Sequence, residues 1–561
     1  MDIQEQPVAP ERLEKPDGQA ARGSQGAPAP DGQAARGSEG APAPDGQAAR
    51  GSEGAPAPDG QGARGSEGAP APEGSRGSGR APAPDDAPAP GRPVRRPALR
   101  RVLLGSAAAA AGCGVLGGLM LWLLPPRERP ARPPAPAPGA QALTAVTDGL
   151  PAALPGLKAL IALREARVRA HPADARSWAV LGAAYVERGR RTSEAGAYFP
   201  KAENALRASL RARPRGNADA LDGLAALANA RRDFRSARSY AEAAARLAPK
   251  RWTTYPLLID ACDGLGDRKA VARYLGTLTG LHSGPAVQAW TAAVYRDRGQ
   301  REDAAAALYD AAAGTDSAAE RAAYLEQAGD LALERGDRAN ALRHFDAALR
   351  ADPDLRAAQA GRARALAALG RSTEAVNAYQ AALAGQPTPQ YALELGELYE
   401  SLGRTTQARA EYDALRVRVR QDAAAGIDDA LVLGRFAADH GDPNEAVRLL
   451  REEWRRQPGV EVADALGWAL HRAGDDGQAR GFAVIATDKE HAGGVRSALF
   501  AYHRGLIEKA SGQDAVARRF LQEALRIDPW FSPLRVPAAR AALAQLGEPP
   551  AVGVPEDDGS S

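Results

Sequence analysis

The amino-acid sequence predicts an all-α chain: a solenoid of about ten stacked helical hairpins, preceded by one transmembrane helix and a disordered N-terminal region. Three observations lead there. A pattern of small and apolar residues restarts every 33 to 38 positions between residues 175 and 530. Gly falls near the middle of most periods and Pro often falls at the end, so each period has room for two helices and a tight turn. The apolar content, 44%, is carried largely by Ala, while aromatics make up only 5%. Such a chain packs by close approach of helices, not around one bulky core.

Residues 1–91 read as a disordered Pro/Ala/Gly-rich region. From Ala27 the motif APAPDGQAARGSEG recurs with a period of 14, and no Leu, Ile, Phe or Trp occurs between positions 16 and 91. Without large apolar side chains, burial cannot offset the entropy of ordering the chain. A drifting spacer accounts for the repeats; a ligand for Pro-binding modules is the alternative.

A basic flank, 92–101, carries Arg92, Arg95, Arg96, Arg100 and Arg101. It precedes 23 uncharged residues, Val102 to Leu124, with Trp122 near one edge. At ~1.5 Å per residue, a helix of that length crosses a ~30 Å hydrocarbon layer. Beyond it stand Arg127, Arg129 and Arg132 beside Glu128. The excess of arginine on the N-terminal side puts that side in the cytoplasm, so the expected protein is a single-pass cell-membrane protein with its helical array outside. Gly114 and Gly118 form a GxxxG pair through which two copies could associate. Ala110-Ala111-Gly112-Cys113 resembles a lipoprotein cleavage box, but the apolar run continues eleven residues past Cys113. Residues 125–155 read as a Pro-rich semi-rigid linker.

Residues 156–174 hold a capping helix that ends at His171-Pro172. The array itself, 175–530, is clearest around LEQAGDLALERGDRANALRHFDAALRADP, residues 325–353. There Ala328, Gly329, Ala332, Ala341 and Ala348 let two helices approach, Leu325, Phe345 and Leu349 fill the seam, Gly336 turns the chain and Pro353 stops it. The same offsets carry Trp178, Gly182 and Tyr185 in the first unit, and Gly396, Tyr399 and Ala408 in the seventh. Gly467 marks the ninth, Ala517 and Pro529 the tenth. About eight extra residues, around Arg190 to Phe199, separate the two helices expected for the first unit. A C-terminal capping helix, 531–547, and a disordered tail, 548–561, complete the chain.

This arrangement resembles the tetratricopeptide repeat, whose unit of about 34 residues places a large residue, Leu-Gly, Tyr, Ala, Phe, Ala and Pro at fixed offsets. The resemblance implies a right-handed superhelix with a concave groove lined by each first helix, and partner recognition in that groove.

Functional classes can then be narrowed. Formal charge is +3, and only seven of the 72 basic residues are Lys, so neither nucleic-acid binding nor Schiff-base chemistry is expected. The two cysteines, Cys113 and Cys262, make no disulfide framework. No HExxH, CxxC, phosphate-binding loop or strand-linked GxGxxG occurs, so the chain is read as non-enzymatic, with no cofactor and no metal.

What remains is a membrane-anchored scaffold for an envelope or transport assembly, binding a protein or peptide. A cytoplasm-facing adaptor of the same architecture is the alternative, and an enzyme with an unrecognised site a second. Groove-facing offsets select Glu326, Asp330, Glu394, Glu397 and Glu400, and farther on Asp464, Trp468, His471 and Tyr502. Acids also fall at Asp219, Asp222, Asp260, Asp263 and Glu334. That row favours a basic or mixed-charge partner segment, while Trp468 and Tyr502 are candidate aromatic anchors.

Overall fold

The computed structural model describes residues 137–192, 194–489 and 494–547, all within one compact unit, Pro126–Ser561. The head, the basic flank, Val102–Leu124 and the tail lie outside the described residues. Among those described there are 23 α-helices and no β-strand, and no helix is long and apolar enough to cross a membrane.

Ten hairpins follow one another from Ala175–Arg191 with Ala195–Ala212 to Ala498–Ala510 with Asp514–Ile527. An additional helix pair, Pro138–Asp148 and Leu154–Ala170, precedes them, and Val536–Leu546 packs on the last. The stretch read as a linker is therefore helical from Pro138. Pro occupies the first helical turn, where its missing N–H costs nothing, and Ala142, Ala145 and Val146 are buried.

Inside a hairpin, small residues do what the pattern requires. A Cβ added at Gly329 would lie 2.6 Å from the Phe345 ring, at Gly396 2.2 Å from Tyr412, and at Gly182 2.5 Å from Leu206. Ala341, Phe345 and Ala517 are fully buried, Ala408, Tyr185 and Tyr399 nearly so, and Gly467 is buried against the Ala479 backbone; Trp178 and Pro529 are half-buried. Trp178 Nε1 donates to the Pro172 carbonyl 2.9 Å away.

The turns follow one recipe. Gly336 adopts φ +74°, a left-handed conformation open to glycine, and its N–H donates back to Leu333. Asp337 then caps the second helix by accepting from the Asn340 N–H. Asp233, Asp267 and Asp475 repeat this cap on their own second helices.

The first hairpin departs from expectation. Only Thr192 to Glu194 lie between its helices, which run to 17 and 18 residues; the extra segment lengthens both instead of forming a loop. Phe199 explains it, since its ring seats 2.5 Å from where a Gly189 Cβ would stand and prolongs the helix crossing by a turn.

The array coils back on itself. Gln386 Nε2 donates to the Arg190 carbonyl at 2.7 Å, Arg231 Nε to Ala425 at 3.1 Å, and Arg301 to Arg496 at 2.9 Å, pairs 194 to 196 positions apart. The turn of each of the first five hairpins thus abuts the loop that follows the hairpin five places on. This seam between coils is mostly arginine donating to main-chain oxygen, with Arg235 on Arg456 (2.7 Å) as a further case. Asp352 and Asp429 accept from Arg191 and Arg232.

Candidate binding lumen

The coil surrounds an open lumen of about 880 Å³, lined from the turn of hairpin two to the C-terminal cap. First helices supply most of its wall. Their spacing places equivalent positions of successive hairpins in one row, Asp263, Asp297, Asp330, Arg364 and Glu397, and each member reaches the lumen.

The wall carries eleven carboxylates and nine arginines, so it is mixed in charge and not the simple acidic face expected. Arg364 pairs with Asp330 at 3.0 Å and Arg296 with Glu334 at 3.1 Å, while Arg268 stands 3.7 Å from Asp263 and 3.9 Å from Asp297. Two expected acids are withdrawn: Arg251 holds Asp219 (2.6 Å) and Asp222 (2.7 Å), and Thr254 donates to Asp222 as well.

Compensation is uneven. Asp260 and Asp263 are exposed at the lumen wall, but the surrounding protein displaces most bulk solvent, and that desolvation pushes Asp260 up to about 6 and raises Asp263. Asp297, desolvated and facing Asp263, is pushed up to about 7. Glu326, desolvated and beside Asp330, reaches about 8. Burial also raises Glu334. Desolvation in this part of the lumen thus holds back the ionisation of carboxylates that the nearby arginines only partly offset.

Glu397 is the opposite case. Burial alone would raise it, but Arg535 and His440 outweigh that effect and hold it at about 2. Arg535 donates to both oxygens of Glu397, at 2.9 and 2.7 Å, and to Asp439 Oδ2 at 2.7 Å. Glu400, more open, accepts from Tyr412 at 2.8 Å and lies 3.3 Å from His440 Nδ1. Glu394 accepts from Tyr379 (3.1 Å) and Gln390 (2.8 Å).

The later candidates sit deeper. Trp468 and Tyr502 are 6% and 4% exposed, packed against each other 5.9 Å apart between ring centroids, and this places them among core side chains and not on open surface. Trp468 Nε1 donates to Asp439 Oδ1 at 2.9 Å, and its ring stacks on His503. Asp464, 3% exposed, contacts His503 Nδ1 at 3.0 Å. His471 is tied to Asp476.

The sequence reading missed Arg364, Asp297, Asp439, His440 and Arg535. The first two were legible, because carrying Asp263, Asp330 and Glu397 through the repeat spacing lands on them. Arg535 carried no such signal, since it lies 138 positions from Glu397 and outside the repeat. Among the described residues no group of three His, Cys, Asp or Glu could hold a metal ion, and burial pushes the Cys262 thiol up to about 11.

A family model for the tetratricopeptide repeat matches residues 326–388 and again 361–425. Hairpins five to seven are thus tetratricopeptide repeats, and the hairpins on either side share their helix–turn–helix build. Solved structures that match the chain include human IFIT1, as a dimer with PPP-AAAA. It is 18% identical over 55% of this chain and 71% of its own, with a TM-score of 0.38. The Cut9–Hcn1 hetero-tetramer of the APC/C is 16% identical over 67% and 76%, TM-score 0.33. A tetratricopeptide repeat protein from Parabacteroides merdae is 17% identical over 47% and 99%, TM-score 0.29. A search of curated proteins finds no match.

Proposed function

We propose that this chain is a protein–protein interaction scaffold whose lumen grips an extended, net-basic segment of a partner protein. One observation carries the reading: carboxylates of hairpins three to five, Asp260, Asp297 and Glu334, line the lumen with their acidities weakened. A cationic side chain entering there would restore those groups to their ionised form and gain the attraction that the wall leaves unused. The repeat architecture supports the same class of function, because stacked hairpins make extended concave binding surfaces.

The finer reading adds a tether. Val102–Leu124 spans the membrane, the head is cytoplasmic and the array stands outside as part of an envelope or transport assembly. Photo-crosslinking in cells tests the first part. A crosslinker at Gln390, in the lumen wall, is expected to capture a partner protein, and one at the exposed Tyr309 is not; capture from Tyr309 alone would remove the reading. For the tether, a reporter active only in the cytoplasm should work before Met1 and be silent after Ser561. The reverse pattern would put the array inside.

A further inference from the structure

The lumen already contains part of this chain. The last hairpin ends at Ile527, and before Val536–Leu546 begins, Trp530, Phe531, Ser532, Pro533 and Arg535 all reach the lumen wall. Phe531 rests against Tyr502, with ring centroids 5.6 Å apart. Trp530, 38% exposed, has the Arg338 guanidinium 4.0 Å from its ring centroid.

Arg535 is the most tightly held member. Both of its terminal nitrogens face Glu397 in a bidentate fork, and one also bonds Asp439. The receiving groups are themselves fixed: Trp468 occupies the other Asp439 oxygen, and His440 stands 3.6 Å from Glu397 while stacking on Tyr412. A planar fork of donors facing two pre-oriented carboxylates is a geometry that guanidinium satisfies and ammonium does not.

We propose that the Glu397–Asp439 pair is a guanidinium-recognition subsite of the lumen, filled in the free protein by Arg535, and that an arginine-bearing segment of a partner protein binds by taking the place of Arg535. This rests on the lumen being the partner site, and it adds both the residue recognised and a competition that restrains binding. While the cap segment is docked the subsite is closed, and apparent affinity falls by the fraction of molecules with Arg535 released. If that fraction is about one tenth, undocking raises affinity about tenfold.

The test uses the full chain in detergent and two fluorescein-labelled nonapeptides of Gly and Ser, one with two arginines and one with two lysines. Wild-type protein should bind the arginine peptide more tightly than its lysine counterpart, and Arg535→Ala should gain about tenfold for the arginine peptide. In Glu397→Gln the preference for arginine should disappear. Amide exchange on the unmodified protein gives a readout that does not depend on how a variant folds: the arginine peptide should speed exchange across 531–546, and free arginine at the same concentration should not.

If the arginine peptide binds but Arg535→Ala gains nothing and exchange in that segment is unchanged, the competition is wrong while the lumen reading survives. If neither peptide binds any form of the protein, lumen reading and subsite fall together.

Discussion

Hairpins in the first half and in the last half share a close helix crossing, with glycine under a ring or a leucine at Gly182, Gly329, Gly396, Gly434 and Gly505, yet their turns face different surroundings. At Gly299 an added Cβ would stand 2.6 Å from the Gly494 carbonyl oxygen, and at Gly266 the same distance from that of Pro458. At Gly403, Gly370, Gly474 and Gly512 it would meet nothing within 4 Å. All of these glycines have positive φ, so the conformational requirement is shared. What differs is that the first five turns are pressed against the following coil. The same residue type therefore serves turn formation alone in one half, and turn formation plus closure of the coil in the other. Arg232 makes the point from the other side: it is the non-glycine residue with positive φ among those described, at 59°, and its guanidinium donates across the seam to the Asp428 carbonyl at 2.9 Å.

Paired substitutions break or sharpen this contrast. Gly403→Ala should cost about 1–2 kcal/mol, the price of left-handed backbone for a residue with a Cβ. Gly299→Ala incurs the same strain and must also push a main-chain oxygen aside, adding roughly 1–3 kcal/mol. The larger effect should be on shape as well as stability. Small-angle scattering is expected to report a larger radius of gyration for Gly299→Ala, from a parted seam, and none for Gly403→Ala. Equal melting and equal radii in the two variants would mean that the coils do not bear on each other.

The hairpins were legible because helix contact leaves a periodic trace: Gly329 under Phe345 and Gly396 under Tyr412 recur at the repeat spacing. The row Asp263 to Glu397 was half legible for the same reason. The seam was not, because Gly266 and Pro458 belong to different periods, and nothing local to either requires the other. The burial of Trp468 was equally hidden. An aromatic at a groove-facing offset reads as open, but here Asp439 of the preceding hairpin and Tyr502 and His503 of the following one close over it. The helix at Pro138–Asp148 escaped because a Pro-rich stretch reads as a spacer until its buried face is known.

The lumen carries the same division between the two halves, and pH reads it out. Glu397 is depressed to about 2 from an ordinary value of 4.5. Its contribution is therefore present above pH 4.5 and is lost as pH falls toward 2. Glu397→Gln should destabilise by about 2–3 kcal/mol at pH 7, because it leaves Arg535 half-paired in a desolvated site. The difference from wild type should shrink on acidification below pH 4.5.

Glu326 runs the other way. Desolvation first, and the neighbouring Asp330 second, raise it from 4.5 to about 8, so the folded state resists its ionisation. Below pH 4.5 the group is protonated in folded and unfolded chains alike and costs nothing; between 4.5 and 8 the cost grows, and above 8 it is complete. Glu326→Gln mimics the protonated form and should stabilise the array at pH 8 by on the order of 1 kcal/mol, kept small by the group's partial access to water. The gain should vanish at pH 4. Thermal melting of both variants from pH 3 to 9 provides the measurement. A Glu326→Gln gain that persists unchanged at pH 4 would show that the substitution acts through packing and that ionising Glu326 costs the folded state nothing.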